Sequence, residues 1–147
     1  VFSLFQAAPT YPVPPPPPMD TPAWCGWREL HAGSLDAAWP FYEAMFGWKK
    51  AEAFDMGGPV GVYQTFRFGF SPDDSPGDGG MMTKMADTPV PHWLYYFNVD
   101  ATGAAVERIT AGGGQVLMGP MEVPGDGWIV VALDPQGGAF AVLADKN

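Results

Sequence analysis

Basic side chains are scarce: seven Lys and Arg stand against 16 Asp and Glu, a formal net charge of −9 at pH 7 over 147 residues. A surface of that sign repels a phosphate backbone or an anionic bilayer before short-range contact forms, which argues against nucleic acid and membrane surface as partners. The single cysteine, Cys25, cannot close an internal disulfide and gives no sign of an oxidising compartment. Between Trp24 and Gly26, just ahead of a strand, it reads as an inert thiol. No apolar run approaches the ~20 residues of a spanning helix, and the chain does not open with a basic region, an apolar stretch and a cleavage site. A cytoplasmic location is therefore expected. Also missing are a G-x-S-x-G elbow, a phosphate-binding P-loop and a dinucleotide fingerprint, since Gly112 to Gly114 follow a helix instead of opening one. The 73–79 stretch lacks the spacing of a calcium loop.

What is present suits one folded core: 47% hydrophobic, 14% aromatic and 16% charged residues. Proline is abundant and concentrated, with Pro14 to Pro18 in an unbroken row. Fixed φ and missing N–H groups make residues 7–26 an extended linker, rising ~3.1 Å per residue where prolines adjoin. Ahead of it, Val1 to Phe5 reads as a short strand cut from something longer.

From Trp27 the pattern is regular. Trp27 to Ala32 alternates as a strand. Ser34 is a candidate N-cap, and Leu35, Ala38, Trp39, Tyr42, Met45 and Phe46 recur at helical spacing until Gly47. Pro40 removes a helical hydrogen bond, predicting a kink or a later start. Strands follow at Trp48 to Phe54, Gly61 to Phe70 and Gly80 to Met85. The order then repeats: a strand over Trp93 to Val99, and a helix capped by Asp100 that carries Ala105, Val106 and Ile109 inward. Strands at Gln115 to Met118, Trp128 to Leu133 and Ala139 to Leu143 complete it. The expected fold class is α+β, two βαβββ modules at about 27–85 and 93–143 forming one domain over 27–147, with a concave, partly closed sheet.

Phe41-Tyr42 and Phe46-Gly47-Trp48 at the end of the first helix, Gly112 to Gly114 after the second, and Asp134-Pro135-Gln136-Gly137 leading into Phe140 and Val142 carry a resemblance. Over Trp27 to Leu143 the chain resembles the glyoxalase / bleomycin-resistance / extradiol-dioxygenase (vicinal oxygen chelate) superfamily. The resemblance implies strands curled around a cup, and makes residues 1–6 similar to the last strand of such a domain, as though a tandem partner preceded the linker. Metalloenzyme members place four ligands in the cup, one on the first and one on the last strand of each module. The matching positions here are Trp27, Leu94, Ala141 and a fourth near Met82. None offers the carboxylate, amide or imidazole that Zn²⁺, Ni²⁺ or Fe²⁺ takes, so neither a catalytic metal nor another cofactor is expected. An ion shared by Glu29, His31 and His92 is a weaker alternative.

Strand alternation sends Leu30, Ala32, Tyr95, Phe97, Val99, Phe140 and Val142 under the helices. It leaves Trp27, Glu29, His31, Tyr96 and Asn98 in the cup, joined by Tyr63, Met82 and Trp128 where strand phase is less marked. Aromatic walls with a few polar groups suit a small molecule, and a ligand cation would meet both π faces and Glu29. Three functions compete. The first is a metal-free module binding an aromatic or cationic molecule for sequestration or sensing. The second is a lyase or isomerase with Glu29 and His31 as acid and base. The third is a structural domain that packs on a tandem twin or in a homodimer.

Overall fold

The computed structural model describes residues 15, 17–75 and 77–147; the strand expected at Val1 to Phe5 lies outside them. Ten elements alternate as anticipated: β1 (Cys25–Ala32), α1 (Leu35–Phe46), β2 (Lys49–Asp55), β3 (Val62–Arg67), β4 (Gly79–Thr83), β5 (His92–Asn98), α2 (Thr102–Ala111), β6 (Gln115–Val123), β7 (Gly127–Leu133) and β8 (Ala139–Ala144). The strands form one mixed sheet in the order β2-β3-β4-β1-β5-β8-β7-β6, which does not close into a barrel. Within each module the first and last strands pair in parallel, β1 with β4 and β5 with β8. The modules join through the antiparallel β1–β5 pair, with Arg28 opposite Tyr95 at its centre. Counting outward from that pair, Trp27 corresponds to Leu94 and Glu29 to Tyr96.

Ser34 caps α1, its side chain accepting from the Ala37 N–H, and Gly47 ends the helix in the left-handed region at φ 64°. The helix begins directly after Ser34 and runs through Pro40, so the later start does not occur. The second cap differs from expectation. Ala101, not Asp100, is the N-cap of α2, and it makes no side-chain hydrogen bond. Thr102 at the first helical position is instead buried against the C-terminus, its hydroxyl donating to Asn147 Oδ1 at 3.0 Å. β3 stops at Arg67, where Ser71 N–H donating to Phe68 O turns the chain, and β6 extends five residues past Met118 to Val123.

Each helix covers one apolar cluster. Under α1 lie Leu30, Ala32, Trp48, Phe66 and Met81, with Trp48 stacked on Phe66 at 4.0 Å between ring centroids. Under α2 lie Val130 and Val142, flanked by Val99 and Phe140. Tyr95 and Phe97 share the helix-side face, but both remain exposed. The opposite, concave face carries the candidate site. No helix among the described residues is long and apolar enough to cross a membrane.

Candidate functional site

β1 places Trp27, Glu29 and His31 on the concave face, and register brings partners from both sides. Glu29 lies between Gly80 and Leu94, and His31 between Met82 and His92. Glu29 is 8% exposed, a position a carboxylate tolerates only when charged or hydrogen-bonding groups surround it. Tyr96 Oη donates to Glu29 Oε1 at 3.2 Å. His31 Nε2 approaches the same oxygen at 2.7 Å. That approach is close but off the line of a hydrogen bond, so the buried Nε2 keeps its hydrogen-bonding capacity unused among the described protein groups. Across the cup, Trp27 Nε1 donates to Tyr63 Oη at 2.9 Å.

Burial first, and the Glu29 charge second, push both the Tyr63 and Tyr96 phenols far above their usual range. For Tyr63 the Trp27 indole offsets this only in part. Both phenols are neutral O–H donors at any physiological pH. The arrangement therefore offers donors and an acceptor in a dry setting.

Trp27, Glu29, His31, Tyr63, Met82 and Tyr96 thus come together as expected from alternation. Two others do not. Trp128 pairs with Ala144 one step from Ile129 and so shares the face of Val130, the α2 side; Ile129 takes the cup position. Asn98 has the expected parity, but its amide donates to Met19 O at 2.5 Å and Thr21 O at 2.9 Å, tying down the linker. It can do so because Gly26, at the irregular step in β1, has no Cβ; one there would overlap Asn98 Oδ1. His92, which the sequence offers only as a partner in a shared ion, lies on the same face. It stacks on His31 with centroids 4.6 Å apart and planes 13° from parallel, and its parity with Leu94 and Tyr96 on β5 was the available signal.

The family's metal positions can now be placed. Tyr96 pairs with Ala141 as Glu29 pairs with Gly80, so the counterpart of Ala141 is Gly80, not Met82. Trp27, Gly80, Leu94 and Ala141 present an indole, a hydrogen, an isobutyl and a methyl group, which do not fit a divalent ion. Nor do His31 and His92 converge on one: the nitrogen lone pairs of stacked rings lie in nearly parallel planes, and His92 Nδ1 faces Val90 O at 3.2 Å. Among the described residues, no three His, Cys, Asp or Glu side chains assemble into a metal site.

Comparisons with known proteins give the family. The chain is 33% identical over 134 residues to an anthracycline biosynthesis protein, DnrV, of Streptomyces peucetius, covering 79% of this chain and 45% of that one. It is 33% identical over 89 residues to a glyoxylase-like domain-containing protein of Didymella fabae, covering 60% of this chain and 67% of that protein. The chain thus spans less than half the length of its Streptomyces relative. Among solved structures, methylmalonyl-CoA epimerase from Mycobacterium tuberculosis superposes with a TM-score of 0.56 at 12% identity, over 80% of this chain and 85% of the epimerase, a likeness of fold. The glyoxalase/bleomycin resistance protein/dioxygenase superfamily model matches residues 24–142, and the chain belongs to that superfamily.

Proposed function

We propose that the chain is a metal-independent small-molecule-binding unit that takes an aromatic or cationic ligand at the Glu29–His31–Tyr63–Tyr96 face. The observation that carries this is the contrast between the two sides of the sheet. Both helix-facing clusters are apolar, whereas the concave face buries a carboxylate amid two phenols and an imidazole. Burying such a carboxylate costs several kcal/mol before its partners compensate, and the helix-side layers show that packing alone does not require one. A planar ring finds the half-buried Trp27 to lie against, and a cation finds Glu29. The Streptomyces relative named for anthracycline biosynthesis is in keeping with an aromatic ligand.

The 2.7 Å contact between Glu29 and His31 favours a second reading, proton transfer in a lyase or isomerase. Glu29 would take the proton and His31 pass it on. A third element completes the proposal: among the described residues β2 and β6 are the end strands of an unclosed sheet, suited to a second such unit in the same chain or another copy. Calorimetric titration with an acridine cation, a neutral anthraquinone and a benzoate anion tests the first reading. The cation or the quinone should bind, and Glu29→Gln should weaken the cation at least tenfold. A chain that binds none of the three is a packing domain. Turnover that vanishes in both Glu29→Gln and His31→Ala would establish the second reading.

A further inference from the structure

The two modules fill equivalent places in the cup with different residue pairs. In the first, Tyr63 stands beside Met82 and Thr65 beside Gly80. In the second, Ile129 stands beside Leu143 and Val131 beside Ala141. Tyr63 and Gly80 therefore occupy the places that Ile129 and Ala141 hold in the other half. Ile129 and Ala141 make an apolar plug with Leu94. The first module has exchanged that plug for a phenol and a bare backbone.

Gly80 is not there for its backbone freedom. It lies buried inside β4 and is not among the positive-φ glycines. A strand-interior glycine weakens its strand and usually marks a close approach. Here the approach is Tyr63: a Cβ on Gly80 would overlap the phenol Oη and Cζ. The space gained is filled by a hydroxyl that accepts from Trp27 Nε1 and faces Glu29. An isoleucine–alanine pair would have filled the same volume without any polar atom.

We propose that Tyr63 is a positioning residue of this site, seated by the missing Cβ of Gly80 so that its hydroxyl fixes the Trp27 indole as one wall of the cup beside the Glu29 carboxylate. The inference rests on the binding role proposed above, yet its geometric half needs no ligand. The test copies the second module's pair into the first. Gly80→Ala alone evicts the ring and lowers the melting temperature, and Tyr63→Ile with Gly80→Ala recovers most of that loss. In both variants the Trp27 indole N–H resonance, identified by its disappearance in Trp27→Phe, moves upfield from its hydrogen-bonded position. Affinity for the acridine cation falls at least tenfold in the double variant although stability has returned, a split that a purely structural role does not produce. An unmoved Trp27 indole in Gly80→Ala overturns the seating, and full acridine affinity in the double variant overturns the positioning role. If Gly80→Ala does not fold, Tyr63→Phe gives the same indole readout with one atom removed. If the unaltered chain binds no probe, the binding role fails, while the indole and stability results still decide the seating.

Discussion

Removing a single oxygen atom from either phenol should have unequal effects. Tyr96 Oη donates to Glu29 at 3.2 Å, long against the 2.5–2.7 Å usual for a hydroxyl on a carboxylate. Its deletion in Tyr96→Phe strands no donor but takes one from a buried carboxylate; a hydrogen bond to a charged group is worth about 1.5–3 kcal/mol, and the long contact puts this one at the lower end, about 1.5 kcal/mol. Tyr63 Oη accepts from Trp27 Nε1 at 2.9 Å. Tyr63→Phe leaves that indole N–H without its acceptor, and an unpaired donor costs about 1–3 kcal/mol. Trp27 is half-buried, so partial access to water holds the figure near 2 kcal/mol, within about 1–3 kcal/mol for a donor left unpaired. At about 2–4 °C per kcal/mol for a chain of this size, scanning calorimetry should show Tyr63→Phe melting about 4–8 °C lower and Tyr96→Phe about 3–6 °C lower. If Tyr96→Phe proves the more damaging, the long contact to Glu29 is the stronger one and the Trp27–Tyr63 link is not what orders this face.

The same phenols make the fold sensitive to alkali. Both have folded-state values raised above the ordinary 10.0 by burial and then by Glu29, so their contribution is complete below pH 10 and is lost as pH rises, because the unfolded chain ionises first. Urea unfolding should weaken above about pH 10 by up to ~1.4 kcal/mol per pH unit for each phenol, and the Tyr63→Phe, Tyr96→Phe double variant should show a shallower decline. On the other face, Phe66 is fully buried and stacked on Trp48. Phe66→Ala should cost about 3–5 kcal/mol, read as a shifted urea midpoint at unchanged slope.

The fold was legible because its signals are local and repeat. Ser34 and Gly47 bracket α1 through a side-chain oxygen and a left-handed glycine, and alternation along β1 sorted Glu29 and His31 from Leu30 and Ala32 correctly. Where Asp100 was read as a cap, one position mattered: the helix begins a residue later, and Lys146 O, accepting from the Thr102 N–H, serves a first-turn donor in place of a side-chain cap. Trp128 was misplaced because a continuous apolar run, from Trp128 to Leu133, carries no alternation to set its phase. Asn98 was placed on the right face, but its attachment to Met19 and Thr21 depends on a gap at Gly26 that no periodicity reveals. The metal position assigned near Met82 slipped two residues for a related reason. Gly79, Gly80, Met81 and Met82 are all buried, so only the pairing of Glu29 with Gly80 fixes the register. Gly80 itself was the overlooked clue, a glycine within a strand that marks where a side chain from the next strand crosses over.

The central claim is that Glu29, His31 and the phenols serve a ligand without help from an ion, and it is tested most directly by titrating the acridine cation into chelator-treated protein. The account predicts equal affinity before and after adding Zn²⁺, Ni²⁺ or Fe²⁺, with at least tenfold loss in Glu29→Gln. Affinity that appears only with a divalent ion, or that ignores the loss of Glu29, would contradict it.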